Sequence, residues 1–220
     1  MAINSAIQKT TNPRRGAIFL FFFFLFSFVI SCSPTQPTSP TQIVTINYSP
    51  FLEAQMPEAY ACAHDLPIVL KITHQEPEIR FQIGEPDATL GGAYQIGEEE
   101  IVIVTNAQNA LPTLSLTEAQ NLFASGEHVW VYAEGEHMQK LFDQFVMEGR
   151  SVSSFANIAP NPNVMMRMLE ENPNAVGFIP KSWLNSNLKE IYSLGVFPVL
   201  ALTSTEPQGA VKSLIACLQN

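Results

Sequence analysis

Basic side chains are scarce in this chain: 11 Lys and Arg stand against 20 Asp and Glu over 220 residues, a formal charge of -9. Three of the eleven, Lys9, Arg14 and Arg15, fall near the N-terminus, so the remainder holds 8 basic against 20 acidic residues, a balance of -12. Nucleic acid demands a basic footprint, and this balance excludes it as a partner. It also opposes docking on anionic lipid headgroups. Cysteine is limited to three residues, and no CxxC occurs. The histidines His64, His74, His128 and His137 are isolated, and the one small cluster, Glu134, Glu136 and His137, is too little for a metal site. A P-loop, a GxGxxG after a strand and an HExxH are all missing. No nucleophile with a nearby base can be named, so neither an enzyme nor a cofactor is expected.

What is present begins with a leader. Behind the basic residues runs an apolar block, residues 18–25, continued by Phe26-Ser27-Phe28-Val29-Ile30. A basic stretch followed by a short apolar run is the pattern of a secretory signal, too short for a comfortable membrane span. It ends at Val29-Ile30-Ser31-Cys32, which resembles the bacterial lipobox, in which a small residue precedes a cysteine that is lipidated and becomes the mature N-terminus. The alternative is an uncleaved anchor in which Cys32 is incidental. Both place the rest of the chain outside the cytoplasm, tethered to a membrane. Residues 33–42 contain three prolines and no large apolar side chain, the composition of an extended, disordered spacer. The organisation expected is a signal peptide over 1–31, a spacer over 32–42 and a folded domain over 43–220. Cys62 and Cys217 are then the two remaining cysteines. An oxidising compartment favours a disulfide between them, and the alternative is two buried thiols.

Residues 43–46 are β-branched and predict a strand; Ser49-Pro50 then reads as a helix start, with the helix running to about Ala63 and weakened by Pro57. Strands over 68–73 and 79–83 are joined by a link too short for a helical crossover, which predicts an antiparallel hairpin. Gly91-Gly92 reads as a turn, and Ile101-Val102-Ile103-Val104 as the most buried strand. Further helices are expected over 114–124, with Thr117 and Gln120 at capping-box spacing, then 135–147, 164–171 and 207–218. Further strands are expected over 129–132, 175–179 and 196–202. Strands alternating with helices give an α/β fold.

Several segments carry a resemblance. Residues 101–109 (IVIVTNAQN) are similar to a hinge strand with an asparagine-containing exit. Residues 114–126 (LSLTEAQNLFASG) resemble the helix written LTxEQLxxIFxG, and Trp130 sits where a tryptophan commonly follows it. Residues 172–179 (NPNAVGFI) resemble NPGAIGY. In this order they are similar to the phosphate-type solute-binding proteins of ABC importers, lipoproteins with a two-lobed type II periplasmic-binding-protein fold.

The resemblance implies two lobes, about 43–104 plus 200–220 and about 105–199, closing on a small-molecule or ion ligand, with an ABC permease as partner. It implies ligand contacts from the turn Tyr48-Ser49 in the first lobe and from Gly135, Glu136 and His137 in the second, with Asn106 and Tyr132 lining the cleft. In the family, helix N-termini supply backbone donors to an oxyanion, as helix starts are suited to do. This chain departs from the family pattern there, because Glu134 and Glu136 replace hydroxyl residues and would repel an anion. They read more simply as favourable first-turn charges facing solvent. The first lobe is also expected to be reduced, lacking a helix between residues 73 and 79. A surface interaction or sensory module that keeps this fold without transport is the alternative function.

Overall fold

A computed structural model describes residues 41–86 and 91–220. The leader, Cys32 and the spacer up to residue 40 lie outside the described residues, so the signal-peptide, lipidation and spacer expectations concern a part of the chain that is not described.

The chain order is β1 (Gln42–Tyr48), a 3-10 helix (Pro50–Gln55), α1 (Met56–Asp65), β2 (Ile68–Ile72), β3 (Ile79–Ile83), β4 (Gly92–Asn106), α2 (Leu116–Ser125), β5 (Trp130–Tyr132), α3 (His137–Phe142) with a π-helical turn (Asp143–Met147), β6 (Asn157–Ala159), α4 (Pro162–Glu171), β7 (Val176–Pro180), a 3-10 turn (Lys181–Trp183), β8 (Leu188–Thr203) and α5 (Gly209–Leu218). Six strands form one mixed sheet in the order β2-β1-β3-β8-β4-β7, and β5 pairs in parallel with β6. A single bridge from Val129 to Val176 joins that pair to β7.

Two long strands make the sheet continuous. β4 and β8 pair antiparallel from Gly92–Thr203 to Asn106–Leu188, with register shifts after Gln95, Ile101 and Ile103. At one end α1 and α5 pack together beside β1 and β2; at the other, α3 and α4 pack on β5 and β7. Ile101 to Val104 have no exposure, because β4 is covered on both faces and flanked on both edges there. The Gly177 position explains part of the NPNAVGF pattern. A Cβ there would lie 2.5 Å from the Met165 sulfur, so with any other residue that side chain must shift, and glycine lets α4 pack on β7 without it.

Three expectations are corrected. β2 and β3 do not form an antiparallel hairpin: each pairs in parallel with β1, one on either side. The short link suffices because β2 runs beside residues 42–46 of β1 and β3 starts at Ile46, so the chain steps across β1 without a return. The single helix expected from Pro50 is two helices. A proline inside an α-helix loses a hydrogen bond, so the chain winds as a 3-10 helix to Gln55 and restarts with Pro57 in the first turn of α1. The capping box of α2 is formed by Ser115 and Glu118 rather than Thr117 and Gln120: the Ser115 hydroxyl accepts from the Glu118 N–H (3.3 Å), and the Glu118 carboxylate accepts from the Ser115 N–H (2.7 Å). A Glu98-Glu99-Glu100 run also lies inside β4, which is much longer than its apolar segment.

Candidate functional site

The two expected halves of the site meet at the C-terminal end of β3. Ser49 follows β1, and its N–H donates to the Phe81 carbonyl (3.2 Å). His137 opens α3, and its Nε2 donates to the Ile83 carbonyl, which fixes the tautomer because a carbonyl only accepts. The close approach continues at Gly84, where φ is +77° and a Cβ would meet the Leu141 side chain at 3.1 Å. The segments Tyr48-Ser49 and Gly135-Glu136-His137 are thus both anchored on one strand end.

Three of the backbone donors near these turns are engaged. The N–H groups of Ser49, Leu52 and Glu136 bond to the carbonyls of Phe81, Ser49 and Ala133, and Pro50 has no N–H. Glu134, Gly135 and Glu136 are exposed, so both carboxylates face water. Gly135 has φ of +90°, the left-handed conformation that this turn requires. Partial burial raises the Tyr48 phenol, with the Tyr60 and Glu53 charges adding to the effect.

Tyr132 is 2% exposed and its hydroxyl donates to the Phe178 carbonyl (3.1 Å); burial pushes this phenol far above the usual tyrosine range. Its ring meets Phe51 edge-on, with centroids 4.7 Å apart and planes at 82°. Behind it Phe178 stacks on Phe142 at 4.2 Å. Asn106 has a different setting. Its amide donates to the carbonyls of Leu169 (3.3 Å) and Glu170 (2.9 Å) and its oxygen accepts from the Gln108 N–H (2.9 Å), so it fastens the end of β4 to the last turn of α4.

Sequence reasoning missed Phe51, Glu99, Ser182 and Trp183. The Trp183 indole donates to the Phe51 carbonyl (3.0 Å). Glu99 is 4% exposed and accepts from the Gln55 side chain and from the Ser182 N–H (3.0 Å). The one available signal was a charged residue flanked by glutamates beside an apolar strand, which reads as surface until the partners are known. A groove of about 280 Å³ is lined by Glu53, Ala54, Ser182 and Trp183. Cys62 and Cys217 are disulfide-bonded, joining α1 to α5. Among the described residues no group of His, Cys, Asp and Glu is arranged to hold a metal ion, and no helix is long and apolar enough to cross a membrane.

Known structures with this arrangement are numerous. A Clostridium perfringens protein described as a phosphate ABC transporter substrate-binding protein, solved with bound phosphate, matches with a TM-score of 0.70 at 15% identity, over 80% of this chain and 93% of its own. An ABC-type phosphate transport receptor from Vibrio cholerae matches at 0.60 and 16% identity, over 80% and 93%. The reduced OxyR regulatory domain from Pseudomonas aeruginosa matches at 0.63 and 10% identity, over 81% and 98%. The fold is that of the type II periplasmic binding proteins. No protein-family model and no curated protein matches the chain.

Proposed function

We propose that the chain is a lipid-anchored extracytoplasmic solute-binding protein, the substrate-binding component of an ABC importer, held at the membrane through Cys32. The observation that supports this reading is the convergence of Ser49 and His137 on the end of β3, at Phe81 and Ile83. Tyr48 and Ser49 then contact the ligand from one lobe, and Gly135, Glu136 and His137 from the other. The lobes, about 43–104 plus 200–220 and about 105–199, move about the paired strands β4 and β8. The two exposed carboxylates, Glu134 and Glu136, favour a cationic, zwitterionic or hydroxyl-rich solute over a free oxyanion.

The direct ties of Ser49 to Phe81 and of His137 to Ile83 support a second reading, an interaction or sensory module that keeps the fold without transport. A thermal-shift screen of the full chain in detergent, against phosphate, sulfate, sugars, amino acids and amines, separates the two. A specific rise in melting temperature with one solute follows from selective binding to the native state and supports the first. No rise with any solute, together with co-purification of a membrane partner other than a permease, supports the second.

A further inference from the structure

Phe51 is buried to 4% exposure although its neighbours Pro50, Glu53 and Ala54 are not buried. Its ring turns inward onto Tyr132, at the end of β5, while its carbonyl accepts from Trp183, just beyond β7. In the sheet order, β1 and β7 are separated by β3, β8 and β4, so this one residue ties segments from distant strands. The same two segments are tied again through Glu99: Gln55, at the end of the 3-10 helix, and the backbone of Ser182 both donate to that carboxylate. A third tie is the His137 bond to Ile83.

We propose that Phe51, Gln55, Glu99 and Trp183 form an intramolecular latch that holds the two ends of the molecule closed on each other, with Phe51 seated between them. This rests on the interlobe seat proposed above. The hydrogen-bonded joints use the chain's own donors and acceptors, and Phe51 adds a ring contact with Tyr132. A buried carboxylate such as Glu99 is tolerated only while both donors stay in place, so opening must admit water to it. Each hydrogen-bonded joint shifts the open–closed balance by roughly twofold to tenfold. A solute that binds between these ends must therefore displace Phe51 from Tyr132 first, and its measured affinity is lowered by the fraction of molecules that are closed.

The test needs no solute, so its outcome is independent of the thermal-shift screen. In a Trp130→Phe background Trp183 is the one remaining indole, since the chain has two tryptophans. Acrylamide quenching of Trp183 is expected to rise at least about twofold on Gln55→Ala and further on Phe51→Ala, in step with the loss of one joint or more. Trp183→Phe keeps a ring but removes the donor, and is expected to enlarge the radius of gyration measured by small-angle X-ray scattering. Should Phe51→Ala fail to fold, Gln55→Ala and Trp183→Phe carry the test. Quenching in Gln55→Ala and scattering in Trp183→Phe that both superimpose on the parent would overturn the latch.

Discussion

Ile72 and Ile79 lie level with one another on opposite sides of β1, because both are in register with Ile46. Parallel strands ordinarily need a crossover of a dozen residues or more, usually helical. Here the stagger removes that need, and residues 73–78 pass across β1. The crossing is pinned at both ends. Asn47 donates to the Thr73 carbonyl (3.1 Å), while the N–H and hydroxyl of Thr45 both donate to the Glu78 carboxylate (2.7 and 2.9 Å). Glu78→Ala should therefore lower the unfolding free energy by about 1 kcal/mol, a typical net value for such bonds. Chemical denaturation checks it: the midpoint should fall with the slope unchanged.

The Cys62–Cys217 bond closes a loop with a sequence separation of 155 residues. Loop closure of that length restricts the unfolded chain strongly, and roughly 2–5 kcal/mol is expected from it. Cys62→Ser with Cys217→Ser, compared with the parent under oxidising conditions, should show that loss in denaturant titrations. Adding reductant should lower the parent's stability and leave the double variant unmoved.

How far the sequence could be read depended on the range of the interactions. The strand core 101–104 and α2 were legible because apolar runs and helix caps are local signals, and the ordered segments at 101–109, 114–126 and 172–179 carried the two-lobed fold. The parallel placement of β2 and β3 was not legible, since a short link argues for a hairpin unless the register against β1 is known. Phe51 has helical spacing to its neighbours and looks like ordinary core. Its meaning comes from Trp183, 132 residues away. Glu99 reads as a solvated charge for the same reason, because Gln55 and Ser182 are 44 and 83 residues distant. The asparagine-containing exit suggests a cleft residue at Asn106, whose amide donates to carbonyls of α4.

The proposed membrane attachment is tested at Cys32. Cys32→Ala should shift the protein from the membrane fraction to a soluble or unprocessed form, and Ser31→Arg should do the same by spoiling the small position before the cysteine. Metabolic labelling with a fatty-acid analogue gives the direct readout. Label retained by Cys32→Ala at the level of the parent would sink the lipobox reading.

The Ser115 cap gives a local check on α2. Its hydroxyl accepts from the Glu118 N–H while Glu118 answers through the Ser115 N–H, so Ser115→Ala removes one half of a reciprocal pair. A loss of about 1 kcal/mol is expected in denaturant unfolding. Ser115→Asp should recover most of it, because an aspartate both caps and favours the positive end of the helix dipole.

The acid limb of stability should report the Lys181 bridge. Lys181 reaches Glu100 on β4 (2.7 Å) and Glu190 on β8 (3.2 Å), and the Ser193 hydroxyl donates to the other Glu100 oxygen (2.6 Å). The hydrogen bond from Lys181, then that from Ser193, hold the Glu100 carboxyl below its ordinary range, with partial burial opposing them. A folded-state pKa below the unfolded one means that the contribution is fully present above the usual carboxylate pKa and is lost as pH falls through the lowered value. Lys181 behaves conversely: the bonds it donates to Glu100 and Glu190 raise it, so its share persists below the usual lysine pKa and is lost as pH climbs past the raised one. Both side chains are partly exposed, 26% for Glu100 and 44% for Lys181, so salt should weaken the effect. Glu100→Gln should thus be less stable than the parent at neutral pH, and the two should converge as the buffer is acidified below about pH 4, the usual carboxylate range. The same difference should shrink in high salt. Parallel curves for parent and variant across the acid range would show that Glu100 does not titrate with folding.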